Sequence, residues 1–214
     1  RMTALFTTLP APGHAISTDK LTVEVDLSGV GLRLREMSAP IMATSGRLRL
    51  VHDRKRYPQG SWLEFINVRA RADKIPLTLS GKLTELNLFD LAHAQPRVNL
   101  TLTASGQGPQ FQQLFPKTNW LHKVSLAGDT KLVAEVTGKS TDLRIDGTLY
   151  NDRAVIRGME LHGASAAFRL SPGVNVAGKR PSLTLTARVR RVELGESEYR
   201  NLQLALTSTT PWKS

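Results

Sequence analysis

No cysteine occurs anywhere in the 214 residues. A disulfide framework and thiolate metal sites are therefore excluded, while the redox compartment stays open. Aromatic residues make up only 6%, so any core has to be built from Leu, Val, Ile and Ala. Long apolar runs are missing as well. Polar residues interrupt them every one to three positions, far short of the roughly 20 apolar residues a bilayer-spanning helix needs, and no signal-peptide pattern occurs.

Catalytic motifs are equally scarce. The histidines His14, His52, His93, His122 and His162 form neither HExxH nor an i, i+4 pair, and they read as scattered surface imidazoles. Around Ser165 the run Gly163-Ala164-Ser165-Ala166-Ala167 approaches G-x-S-x-G but lacks the last glycine. No P-loop or dinucleotide fingerprint appears. Asp142 and Asp146 fall on one strand face with no opposing partner, a solvated row and not an acid–base pair. The expectation is a non-enzyme with no catalytic residues, no metal and no cofactor.

What the chain does have is alternation. Leu21, Val23, Val25 and Leu27 alternate with Thr22, Glu24 and Asp26; Val98, Leu100, Leu102 and Ala104 alternate with Arg97, Asn99, Thr101 and Thr103. Residues 142–149 repeat this with Leu143, Ile145, Gly147 and Leu149 against Asp142, Arg144, Asp146 and Thr148. Period two marks strands with one dry and one wet face. Further strands are predicted at 30–35, 47–51, 62–72, 75–83, 131–137, 153–161, 164–170, 183–192 and 199–207. Turns are predicted at Ser28-Gly29, Ser80-Gly81, Gly106-Gln107-Gly108, Gly138-Lys139-Ser140, Asn151-Asp152 and Ser171-Pro172-Gly173. Short links of this kind favour an antiparallel meander. One stretch departs from the pattern: Phe111, Leu114 and Phe115 take helical spacing before Pro116, which predicts a short helix near 109–115 across one end of the sheet.

The net charge of +11 is spread evenly: residues 1–107 carry 14 basic and 9 acidic side chains, and residues 108–214 carry 15 and 9. The densest cluster is Arg47, Arg49, His52, Arg54, Lys55 and Arg56, which reads either as a charged hairpin tip or as a contact for phosphate in lipid headgroups or nucleic acid. Arg188, Arg190 and Arg191 form a smaller row. A nucleic-acid module would add aromatic stacking strands, which are missing, so no nucleic-acid partner is expected. The apolar faces have two readings at this level, a closed sandwich or barrel core and an open groove for apolar ligand.

The phrases DLRIDGTLYNDRAVIRGMELHGASAAFRLSPGV (142–174) and VRRVELGESEYRNLQLALT (189–207), the latter with Tyr199, Asn201, Leu202, Leu204 and Leu206 at "y-x-n-l-x-l-x-l" spacing, resemble the AsmA-like superfamily of bacterial envelope proteins. The resemblance covers residues 75–207. It implies an all-β fold, an elongated antiparallel sheet curled lengthwise into a half-pipe (β-taco) with an apolar groove. The chain is then a single elongated β domain over 1–214, a segment of a longer protein anchored in the inner membrane and working in the periplasm. The implied partners are phospholipid acyl chains and an outer-membrane assembly protein. The implied lining is Leu77, Leu79, Val98, Leu100, Leu102, Leu132, Val136, Leu143, Ile145, Leu149, Leu183, Leu185, Leu202 and Leu204, with Arg47, Arg49, Arg54, Lys55 and Arg56 as headgroup or anion contacts. The rival expectation is a structural or assembly module that binds a partner through a sheet edge.

Overall fold

The computed structural model describes residues 2–6, 20–32, 38–56, 60–88, 95–114, 124–171 and 182–208. His14, His93, His122, the end of the predicted 30–35 strand and the predicted turn at Pro172-Gly173 lie outside these residues.

The described chain forms one antiparallel sheet, curled and not closed. Its strands are β1 (Met2–Phe6), β2 (Lys20–Asp26), β3 (Gly31–Leu32), β4 (Ile41–Asp53), β5 (Trp62–Ala72), β6 (Ile75–Thr84), β7 (Arg97–Gln107), β8 (Val124–Lys139), β9 (Asp142–Ile156), β10 (Met159–Ser171), β11 (Ser182–Leu194) and β12 (Ser197–Ser208). Apart from β3, which pairs with β4, each strand lies beside its neighbours in sequence. That is the meander the short links imply. Among the described residues the one α-helix, α1 (Gly108–Leu114), stands where helical spacing places it, and Phe115 lies outside them.

Three predicted turns are corrected. Ser80-Gly81 lies inside β6, where Gly81 pairs with Leu100. Glycine is needed there for closeness: a Cβ on it would sit 2.1 Å from the Asn99 carbonyl oxygen, at a φ of +130°. Gly81→Ala is therefore expected to cost more than about 2 kcal/mol, seen as a lower urea midpoint. Gly106-Gln107-Gly108 carries β7 directly into α1. Asn151-Asp152 is internal to β9, so the predicted 142–149 and early 153–161 segments are one strand. The actual reversal is at Arg157-Gly158, between the paired Ile156 and Met159. Both turn residues have positive φ, 50° and 82°, as a two-residue type I′ hairpin requires.

Asn151-Asp152 has turn composition for another reason. Between Ala127 and Thr130 the β8 strand has two residues where β9 has one. Alongside it the ladder pairs lapse, in unshifted register, at Asp152, Gly163, Arg190 and Asn201, with positive φ at Gly128, Gly163 and Asn201. The result is a transverse crease across five strands, and bulges of this kind bend a sheet and raise its twist. Asn151 anchors it. Its Nδ2 donates to the Ala127 carbonyl at 3.1 Å and to Thr130 Oγ1 at 2.8 Å, and Asn151 and Thr130 are both buried.

The core sits at one end. Phe111 and Leu114 of α1 pack on Ala72, Ile75, Leu77 and Ala104, with Ile41, Ala70 and Leu132 alongside. The helix is tied down at its last turn, where Leu114 O accepts from Ser38 N at 3.0 Å and Gln113 O accepts from Ser38 Oγ at 2.8 Å. Gln112 meets the start of β8: its Oε1 accepts from Leu126 N at 3.2 Å, and its Nε2 donates to Val124 O. One side chain thus takes the place of a neighbouring strand where β8 extends past β7.

Candidate functional site

Register determines which side chains share a face, because directly paired residues point the same way. Leu77, Ala104, Leu132, Leu149, Ala166, Ala187 and Leu204 form one row across seven strands. Two residues along, Leu79, Leu102, Ala134, Gly147, Phe168 and Leu185 form a second. Gly81, Leu100, Val136, Ile145, Leu170 and Leu183 form a third, and Leu83, Val98, Gly138 and Leu143 a fourth. Leu202 belongs to the row of Thr130, Asn151, Ala164 and Val189. All fourteen expected lining residues therefore share one face.

Among the described residues α1 covers that face at one end, and Val98 is buried as well in the fourth row. Under α1, Ile75 is 1% exposed and Ala104 4%, while at the far edge Leu202 is 45% and Leu204 64% exposed. Between them, Leu100, Leu102, Val136, Ile145, Leu149, Leu183 and Leu185 are half-buried. Among the described residues no second sheet lies over them. Apart from Phe168 the apolar surface is aliphatic, and most of its middle rows are half-exposed.

The crease extends this surface. Alternation places apolar residues two apart, but Asn151 and Ala154, Leu161 and Ala164, and Val189 and Val192 stand three apart across the irregular row. Leu126, Ala154 and Val192 are buried beyond it. Thr130 and Asn151 are polar residues within the apolar rows, which sequence reasoning missed, because their partners come from the bulge itself.

The opposite face is polar and largely self-neutralised. Arg47 contacts Glu24 at 3.0 Å and Asp26 at 3.2 Å, and Arg49 contacts Glu24 at 2.7 Å and Glu64 at 3.6 Å. The basic cluster is thus not one hairpin tip. Arg47 and Arg49 lie within β4, engaged by carboxylates, and only Arg54–Arg56 follow the strand as a 3₁₀ turn. Further along, Asp146 accepts from Arg144 at 2.5 Å and from Arg169 at 2.6 Å, and these bonds hold its carboxyl below the usual aspartate range. A carboxylate depressed in the fold stabilises above its unfolded pKa, and the contribution fades as pH falls through the folded value. Asp146→Asn is expected to cost less than about 1 kcal/mol at neutral pH, the difference from the parent vanishing well below about pH 4 in urea titrations.

One histidine gains neighbours by topology. Glu160 and Glu193 are directly paired, and His162 Nε2 lies 3.7 Å and 3.6 Å from their carboxylates. The three could share a cation, but Arg153 holds Glu160 at 2.8 Å and Arg191 holds Glu193 at 3.2 Å. His52 Nδ1 meets Ser61 Oγ at 2.8 Å. No described helix is long and apolar enough to cross a membrane, which says nothing about strands.

No family model, curated protein or solved structure matches this chain.

Proposed function

We propose that the apolar face is a conduit surface for the acyl chains of phospholipids, in a non-enzymatic segment of an AsmA-like envelope protein. On this reading the chain works in the periplasm as part of a protein anchored in the inner membrane, and shields lipid tails on their way between inner and outer membranes. The observation that carries the reading is an aliphatic face many strands wide that a single seven-residue helix covers at one end. Moving a methylene from water to such a surface is worth about 0.8 kcal/mol, so a tail is held without any specific polar contact. Headgroups remain in water at the open side.

The test is native mass spectrometry of lipid co-purified with the chain, against Leu100→Asp and Ile145→Asp. An absence of lipid, or lipid indifferent to both changes, overturns the reading.

A second reading is favoured by the β12 edge. Among the described residues β12 ends the sheet; Ser197–Ser208 contains neither Lys nor Pro, residues that guard exposed edges, and it displays Tyr199, Leu202 and Leu204 at 45–64% exposure. An extended partner strand can add to such an edge. Under this alternative the module is an assembly scaffold, and Gln203→Pro abolishes capture of the partner without releasing lipid.

A further inference from the structure

Exposed apolar side chains gather at one edge of the sheet. Leu194 of β11 and Tyr199, Leu202 and Leu204 of β12 are 45–64% exposed. β12 is paired to β11 along its inner side, and among the described residues no strand meets its outer N–H and C=O groups. A strand laid alongside would cover the apolar patch and satisfy those groups at once.

Charge narrows what that strand is. The chain carries a net charge of +11, so two copies repel each other over most approaches. Along β12, however, residues 201–207 (NLQLALT) carry no charge at all. An antiparallel two-fold centred on Leu204 sets Leu204 opposite its own copy, Leu202 opposite Leu206 and Gln203 opposite Ala205. Leucine then meets leucine on the apolar side and no like charges are opposed. The crease at Asn201 ends the regular ladder, which keeps Arg200 and Glu198 out of the contact. The β1 edge offers no such closure. Eleven strands alternate in direction along the sheet, so β1 runs parallel to β12. Joining those two edges would be a head-to-tail contact that leaves an edge free on every copy added.

We propose that the partner of the β12 edge is a second copy of this chain, joined by antiparallel β12–β12 pairing about Leu204. The inference rests on the edge reading of β12, and the conduit stands or falls without it. Because paired residues share a face, the two apolar surfaces meet at the two-fold, and the row that ends in Leu204 runs on into the second copy. The contact is short, so the dimer is weak and populates at about 100 µM and above.

The experiment is sedimentation equilibrium of the full chain up to several hundred micromolar, together with cross-linking of single-cysteine variants, since the chain has no cysteine of its own. A monomer–dimer equilibrium is expected, strengthened by salt because salt screens the repulsion between cationic copies. Leu204→Lys should weaken it at least tenfold, as like charges then face each other across the two-fold. Leu204 is 64% exposed, so this change leaves the monomer folded. Under mild oxidation Leu204→Cys should form a disulfide-linked dimer, while Leu202→Cys, about 14 Å from its own copy at ordinary strand rise, should not. A chain that stays monomeric, or two cysteine variants that cross-link alike, overturns the second copy. So does association weakened by salt, and so does a series of larger assemblies, which would assign β1 to the edge. A synthetic peptide of alternating Thr and Val separates the two failures. A monomeric chain that takes up the peptide, and loses it in Gln203→Pro, keeps the edge reading without the second copy. A chain that takes up neither sinks both.

Discussion

Phe111→Ala is expected to lower the unfolding free energy by about 3–5 kcal/mol, while Leu204→Ala changes it by no more than about 0.5 kcal/mol. Both residues belong to the same side of the sheet, and both substitutions delete a large apolar group. They differ in what surrounds them. Phe111 is 6% exposed and packs among Ala72, Ile75, Leu77 and Ala104. Its removal leaves a cavity and also loosens the helix, which burial holds in place far more than seven residues of propensity do. Leu204 is 64% exposed, so alanine there forfeits little buried surface. Urea unfolding followed by circular dichroism reads both. In a closed sandwich both positions would be buried and cost alike, so equal losses would refute a sheet packed under α1 and open at the β12 edge. A Phe111 cost under about 1 kcal/mol would do the same.

Much of the architecture was legible because it obeys a local rule. Period two from Leu77 to Leu206 identifies the strands and assigns the dry face, and the short links give the meander. The helix was legible because Phe111 and Leu114 break that period. What escaped depends on pairing. The turn at Arg157-Gly158 lay hidden behind Asn151-Asp152, whose composition imitates a turn but serves a bulge. A signal for the crease is present in the sequence nonetheless: apolar spacing slips from two to three at 161/164 and 189/192. Such a slip in one strand looks like noise, and only the register shows that successive strands slip together. Gly81 was misread for a related reason, since its need for glycine arises from the Asn99 carbonyl on the next strand.

Leu100→Asp combined with Ile145→Asp is expected to reduce co-purified lipid at least tenfold while leaving the fold intact. The two residues flank Val136 in one row, about 10 Å apart at ordinary strand spacing. A tail lying along that row would have to strip water from two carboxylates. The penalty for burying even one unpaired polar group, roughly 1–3 kcal/mol, already offsets the gain from two or three methylenes. Because both positions are half-buried in the lipid-free protein, the carboxylates stay hydrated and the sheet tolerates them. Net charge is a confounder, and Thr184→Asp with Thr207→Asp controls for it: these residues are paired, exposed and on the polar face. Lipid lost equally from both doubles would mean that charge repels lipid from the whole chain. Lipid retained in the Leu100 and Ile145 double would remove the apolar face from any role in holding it. Loss from that double alone is the outcome that an open aliphatic conduit requires.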